Sequence, residues 1–238
     1  MNDLFIRAAC LDWAGIEKDS YLWSIPAIAG VDRVVFESPV TCFVGENGSG
    51  KSTLLEAMAV SAGFNPEGGT KNYAFSTFDS HSELCGSMRL VKGVKKPRWG
   101  YFLRAESFYN VATAEDEYSR MGGTPQHLHE KSHGESFLAT AQNNFRPGGL
   151  YFLDEPEAAL SPQRQLTLLR EINTCARAGA QFFMVTHSPI LLGLPDAAIL
   201  SFDEGPLHPI AYEDTDSFQI TSLFLSDRKR LLRDLLEP

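Results

Sequence analysis

The sequence predicts an α/β fold in which a mostly parallel sheet is flanked by helices. Three observations carry that expectation. Short runs apolar enough to be buried on both faces, at residues 150–153 (LYFL) and 181–186 (QFFMVT), alternate with helical segments in the second half of the chain. A glycine-rich loop at residues 45–52 (GENGSGKS) joins an apolar strand to a helix. The run at 150–153 closes on the acidic pair Asp154 and Glu155.

Taken in order, apolar alternation and β-branched runs predict strands at 5–11, 33–37 and 41–44. Residues 51–62 read as an amphipathic helix with Leu54, Leu55 and Met58 on one face, and 63–70 (GFNPEGGT) as a loop. Strands near 87–92 and 100–104 follow. A helix at 107–120 is broken by MGGTP at 121–125, and another helix starts near Gly134. After the strand at 150–153, Ser161 is the candidate N-cap and Pro162 the first residue of a helix that continues through 163–178, with Gly179 just past its end. The strand at 181–186 comes next. Ser188 and Pro189 open a short helix by the same capping logic. A strand at 198–202 and two short helices from Asp216 complete the chain. No internal repeat or low-complexity stretch interrupts this order.

Composition narrows the function classes. The 238 residues are 43% hydrophobic and 21% charged, ordinary values for one globular domain that exclude a disordered or fibrous chain. No apolar run reaches about 18 residues, so no membrane-inserted helix is expected. The start, MNDLFIRAACLDW, lacks the basic and apolar regions of a secretory signal. With 21 Lys and Arg against 30 Asp and Glu, the net charge is -9, which argues against a sequence-independent grip on nucleic acid by this chain alone. Cys10, Cys42, Cys85 and Cys175 form no CxxC pair, which excludes a zinc site built on cysteine pairs. Reduced, buried thiols in a cytoplasmic protein are expected. His127, His129, Glu130 and His133 cluster without the spacing of a metalloprotease helix and read as a solvated approach to the helix that follows. The basic stretch 227–233 (DRKRLLR) reads as a solvated amphipathic helix.

The loop at 45–52 matches GxxxxGKS at every defined position and has the strand before it and the helix after it that the motif needs. Gly45, Gly48 and Gly50 allow the tight turn that aims backbone N–H groups at phosphate oxygens, with Glu46, Asn47, Ser49 and Thr53 in the same cradle. The helix N-terminus adds its partial positive charge. Lys51 is placed to reach the β- and γ-phosphates of ATP, and the Ser52 hydroxyl to ligate Mg²⁺. Asp154 is the expected second Mg²⁺ partner, through water, and Glu155 the carboxylate that orients or deprotonates an attacking water.

These stretches, with GYFLRAE at 100–106, KSHGES at 131–136, LYFLDEPEAALS at 150–161 and VTHSP at 185–189, resemble in order and content the ABC-type ATPases. That group includes transporter ATPase subunits, SMC-like chromosome proteins and DNA-repair ATPases. The pattern is most similar to small stand-alone proteins described as AAA family ATPases. The resemblance implies a P-loop NTPase fold of the ABC-type head: an antiparallel β part near the N-terminus, and a short helical subdomain at about 105–147 within one domain spanning 1–238. It places Ser132, Gly134 and Glu135 at the family's Ser-Gly-Gly-Gln signature, with His133 in place of the first glycine and Glu135 in place of the glutamine. It makes His187 the switch histidine facing the γ-phosphate, and 157–161 the D-loop, with Ser161 where an aspartate is usual. Arg104 falls at the Q-loop glutamine, where an arginine would pair with phosphate, while nearby Glu106 is a candidate oxygen ligand for Mg²⁺. Trp13, Tyr21 and Trp23 lie in the region that supplies the adenine-stacking aromatic, although core packing is the simpler expectation for them.

The resemblance implies a soluble, cytoplasmic enzyme that binds and hydrolyses ATP. It would close head to tail as an ATP-dependent homodimer and act on an effector protein that the sequence does not name. Two alternatives stand beside it. One is the ATP-binding subunit of a membrane transporter, against which the 28 positions from Arg104 to Ser132 leave little room for a docking insert. The other is the ATPase module of a DNA-repair or defence complex that reaches nucleic acid through a partner.

Overall fold

The computed structural model describes residues 4–71, 83–104 and 133–236. The expected helix at 107–120, the break at 121–125, the histidine cluster at 127–130, and Glu106 and Ser132 lie outside the described residues.

Two sheets organise the chain. β1 (Ile6–Leu11), β2 (Arg33–Val35) and β4 (Met88–Lys92) pair antiparallel in the order β2-β1-β4. β3 (Val40–Val44), β5 (Trp99–Arg104), β6 (Gly149–Asp154), β7 (Gln181–Val185), β8 (Ala198–Ser201) and β9 (His208–Pro209) form the larger sheet, in the order β5-β6-β7-β3-β8-β9. All of its pairings are parallel except β8 with β9. The two-residue β9 carries no periodic signal in the sequence and exists by pairing with β8. The strand expected at 33–37 ends at Val35, after which the Phe36 amide bonds the Arg7 carbonyl.

The central strands are apolar throughout because both faces are covered. On one face, α1 (Lys51–Ser61) packs Leu54, Leu55 and Met58 with Phe43, Phe152, Phe183 and Val185 of the sheet. On the other, Phe137 and Ala141 of α3 (His133–Asn144), Leu168 and Ile172 of α4 (Pro162–Arg177) and Leu191 of α5 (Pro189–Leu192) meet Cys42, Tyr151, Phe182 and Met184. The short α2 (Leu84–Ser87) precedes β4. Stacked rings tie β6 to β7 on both faces: Phe152 on Phe183 at 5.4 Å and Tyr151 on Phe182 at 4.7 Å between centroids.

α1 departs from the amphipathic reading. It lies between the small sheet and the large one, and none of its residues is exposed. The apolar stripe expected on one side is joined by Ala57 and Ala59, which let the helix sit close to its neighbours. The two sheets are joined by Gln181, whose amide accepts from Ile6 N at 2.9 Å and donates to Ile6 O at 2.8 Å, satisfying a buried polar group at both ends.

Cap chemistry follows the sequence in part. Ser188 Oγ accepts from the amides of Ile190 and Leu191, and Thr215 Oγ1 accepts from Phe218 N at the start of α6 (Asp216–Ser226). Ser161 is the N-cap residue of α4 with Pro162 following, as expected, but its side chain makes no cap bond. α7 (Arg228–Leu236) is exposed along nearly its whole length, as the basic stretch predicts. All four cysteines are free; Cys42 and Cys175 are buried as expected, whereas Cys10 and Cys85 are only partly covered. Among the described residues no helix is long and apolar enough to cross a membrane.

Candidate functional site

The carboxyl ends of the parallel strands converge along one edge of the large sheet, the position where ligands bind in open α/β sheets. One register row crosses that edge: Arg104 on β5 beside Asp154 on β6, Asp154 beside Val185 on β7, and Val185 beside Phe43 on β3. Residues one or two places past this row are therefore neighbours in space although far apart in the chain.

The loop after β3 supplies the cradle. Gly45 has φ 142°, and a Cβ there would lie 3.0 Å from both Asp203 Oδ1 and Phe202 Cβ, so only glycine fits. Gly50 has φ 96°, and a Cβ would come within 2.7 Å of Ile25 Cγ2. Gly50 is also the N-cap of α1 and offers no side chain, so the first-turn amides point outward with no side-chain acceptor at the cap. Glu46, Asn47 and Gly48 face solvent at the loop tip. Asp203, just past β8, accepts the Glu46 amide at 2.9 Å and holds the mouth of the loop.

Lys51 is buried, and its Nζ donates to the carbonyls of Gly45 at 2.7 Å and Glu46 at 2.6 Å. Burial holds its pKa below the ordinary 10.5, opposed by the carboxylates of Asp203, Glu155, Asp154 and Glu46. Ser52 Oγ donates to Asp154 Oδ1 at 2.8 Å, so hydroxyl and carboxylate meet directly although they are 102 positions apart. Glu155 follows with φ 50°, a left-handed conformation rare for a side chain of this size, and its amide bonds the Val185 carbonyl at 3.0 Å.

Past β7, Thr186 and His187 are held by one carboxylate. Glu157 accepts the Thr186 hydroxyl at 2.8 Å on one oxygen and the His187 amide on the other. His187 is exposed and lines a cavity of about 170 Å³ together with Gly45, Glu46, Asp203 and His208. Ser188 Oγ donates to Gln165 Oε1 at 2.6 Å, and Gln165 Nε2 donates to the Leu160 carbonyl, so segment 157–161 and segment 186–188 are fastened together.

The sequence-predicted residues Gly45, Gly50, Lys51, Ser52, Asp154, Glu155 and His187 thus share one edge. Arg104 and Glu135 have protein partners within this chain. Arg104 donates to Glu56 at 2.7 Å and lies 3.6 Å from Asp154 as an ion pair. Glu135, expected at the signature, pairs with Arg164 of α4 at 3.0 Å. The helix expected to start near Gly134 is present as α3 from the first described residue, His133. Tyr21 and Trp23 are 54% and 41% exposed, against the core packing expected for them; the Trp23 ring lies 4.5 Å from that of Trp13. Sequence reasoning did not single out Glu56, Gln165 or Asp203. Only Asp203 left a signal, an acidic residue two places past a strand end.

The arrangement fits a phosphate chain with a hard divalent cation. Uncapped first-turn amides and a lysine meet anionic oxygens, and a hydroxyl bonded to a carboxylate is an oxygen pair suited to Mg²⁺. Among the described residues no group of three or more His, Cys, Asp or Glu is placed to hold a metal by itself.

Comparison with known proteins agrees with this geometry. A family model described as "AAA domain, putative AbiEii toxin, Type IV TA system" matches residues 135–193, and one described as "AAA domain" matches 27–97. The chain is 31% identical over 187 residues to the hemin import ATP-binding protein HmuV of Streptomyces coelicolor, covering 70% of this chain and 66% of that one. It is 22% identical over 197 residues to the ribose import ATP-binding protein RbsA of Roseobacter denitrificans, covering 72% of this chain and 38% of that one. The chain therefore spans just under two thirds of one relative and well under half of the other. Its fold is similar to that of cbiO1 from Clostridium perfringens, part of the ABC transporter complex cbiONQ, with a TM-score of 0.51, 17% identity, and coverage of 99% and 100%.

Proposed function

Since the chain belongs to the ABC/SMC-like P-loop ATPases, we propose that it binds ATP with Mg²⁺ at the carboxyl edge of its large sheet, hydrolyses it, and uses the nucleotide to close a head-to-tail homodimer. The observation that carries the reading is the meeting of Ser52 and Asp154 at 2.8 Å, with Glu155 turned sharply out of the strand beside them. Lys51 exchanges its loop carbonyls for phosphate oxygens, and the Gly45–Ser52 backbone cradles the phosphates. Mg²⁺, when bound, neutralises phosphate charge and fixes the geometry of the γ-phosphate. Ser52 and Asp154 would hold it. Glu155 accepts the proton of the attacking water, and His187, steadied by Glu157, faces the γ-phosphate.

In the closed dimer, Ser132 and Gly134 of a second copy complete each site, at the helix that carries Gly134. Loss of the γ-phosphate removes contacts from both copies at once, which opens the dimer. Tyr21 and Trp23, exposed on the segment that packs Ile25 against Gly50, are the aromatic candidates for the adenine. Residues 1–238 act as a single cytoplasmic unit, with about 105–147 as its helical subdomain. The effector is a separate protein.

A Glu155→Gln chain is expected to bind ATP, to stall and to elute as a dimer on gel filtration, while Lys51→Ala neither binds nor dimerises. A monomeric Glu155→Gln chain under saturating ATP and Mg²⁺ rejects the dimer. The names of the two curated relatives favour a second reading, an ATP-binding subunit of an import system. Isolation of a stable complex with an integral membrane protein decides for it.

A further inference from the structure

Arg104 is the last residue of β5 and stands directly beside Asp154 in the β5–β6 register. Its Nη1 donates to Glu56 Oε2 of α1 at 2.7 Å and to the Pro66 carbonyl at 3.1 Å. Its Nε lies 3.6 Å from Asp154 Oδ2, and its guanidinium carbon lies 5.8 Å from the centre of the Phe102 ring. Asp154 thus has its two oxygens divided: Oδ1 takes the Ser52 hydroxyl and Oδ2 faces the guanidinium. The side chains of Arg104, Glu56 and Asp154 are 18%, 14% and 8% exposed, so salt screens them little. A guanidinium keeps its charge at every pH a fold survives. Anchors on a helix, a loop and a neighbouring strand leave this one little freedom to leave.

We propose that Arg104, fixed between Glu56 and Asp154, is a positioning residue that offsets part of the carboxylate charge beside the phosphate site and so makes ATP binding by this chain less dependent on Mg²⁺ than it would be without the guanidinium. The inference rests on the nucleotide reading above. Two consequences of opposite sign follow from one charge. The guanidinium offsets part of the Asp154 charge, so a metal-free triphosphate meets less carboxylate repulsion. The same charge, on the far side of Asp154 from Ser52, repels a divalent cation and moves its half-saturation to a higher concentration. Glu56 offsets the guanidinium from the α1 side, so removing Glu56 strengthens the second effect.

The test is ATP binding by calorimetry on the full chain, in excess EDTA and across a titration of free Mg²⁺. It uses Arg104→Gln, Arg104→Lys and Glu56→Gln, each checked for a cooperative melt. Arg104→Gln weakens the EDTA affinity about tenfold and lowers the Mg²⁺ half-saturation. Arg104→Lys, which keeps the charge, retains most of the EDTA affinity, and Glu56→Gln raises the Mg²⁺ half-saturation. An unchanged ratio of EDTA to Mg²⁺ affinity in Arg104→Gln overturns the inference and leaves the nucleotide reading standing. No ATP binding by the native chain in Mg²⁺ overturns both. Should Arg104→Gln fail to fold, loss of the EDTA affinity in Arg104→Lys, or a Mg²⁺ half-saturation that stays or falls in Glu56→Gln, overturns it instead.

Discussion

Glu157 shows how one side chain can carry a site it does not line. Its two oxygens take the Thr186 hydroxyl and the His187 amide, fixing the turn that presents His187 at the sheet edge. A carboxylate holding two donors is worth more than either bond alone, because removing it strands both. Glu157→Ala is therefore expected to lower ATP turnover about 10- to 100-fold with little change in ATP affinity, since a displacement of about 1 Å at a reacting group has effects of that size. Steady-state phosphate release against ATP concentration checks it: a raised KM at unchanged kcat contradicts the positioning role. Glu155 is the complementary case. Its left-handed backbone costs about 1–3 kcal/mol, and its amide bond to Val185 helps hold it there.

At the scale of elements, the two Ser-Pro pairs behave differently. Ser188 caps α5 through two amides and also bonds Gln165, whereas Ser161 before α4 caps nothing with its side chain. Ser188→Ala is expected to cost about 1–2 kcal/mol and Ser161→Ala close to nothing, read from urea midpoints. Equal effects would contradict the structure. β5 meets β6 closely at Gly100, where a Cβ would fall 2.6 Å from Phe64 Cζ and 2.7 Å from the Leu150 carbonyl. The Phe64 ring can give, but the carbonyl belongs to the neighbouring strand. Gly100→Ala is expected to cost about 1–3 kcal/mol by overpacking, measured the same way. That site lies at the far end of the strand from Arg104, so ATP affinity should survive where the fold does.

Across the whole molecule, burial sets the response to alkali. Burial, helped by the Glu157 carboxylate, pushes the Cys42 thiol from 9.0 to about 12, and burial pushes the Tyr151 hydroxyl from 10.0 to about 12. Cys85 rises to about 11 for the same first reason. Groups raised in the fold contribute stability that is whole below their ordinary values and is lost as pH climbs through the raised ones. Lys51 and Lys71, held below 10.5 by burial, act in the opposite sense up to that pH. The urea midpoint is therefore expected to fall most steeply between about pH 10.5 and 12. A flat profile over that window contradicts the burial of these groups. The net charge of -9 is no obstacle to a polyphosphate ligand, because the loop amides and Lys51 would meet it at short range.

Much of the site was legible in the sequence, because its parts are local. GENGSGKS between a strand and a helix, and an apolar run closing on Asp154 and Glu155, each encode their own backbone path, and the strand order places them at one sheet edge. What the tertiary structure alone decided is the choice of distant partners. Gln181 bonds Ile6 across 175 positions and joins the two sheets; Arg104 meets Glu56 and Asp154; Glu157 takes the turn at His187; α1 is enclosed where a one-sided stripe was expected. Periodicity and motif spacing describe a segment relative to its own neighbours, whereas a charged or amide side chain chooses its partner by which strand ends lie within a few ångströms of it. That proximity exists only once the sheet has assembled.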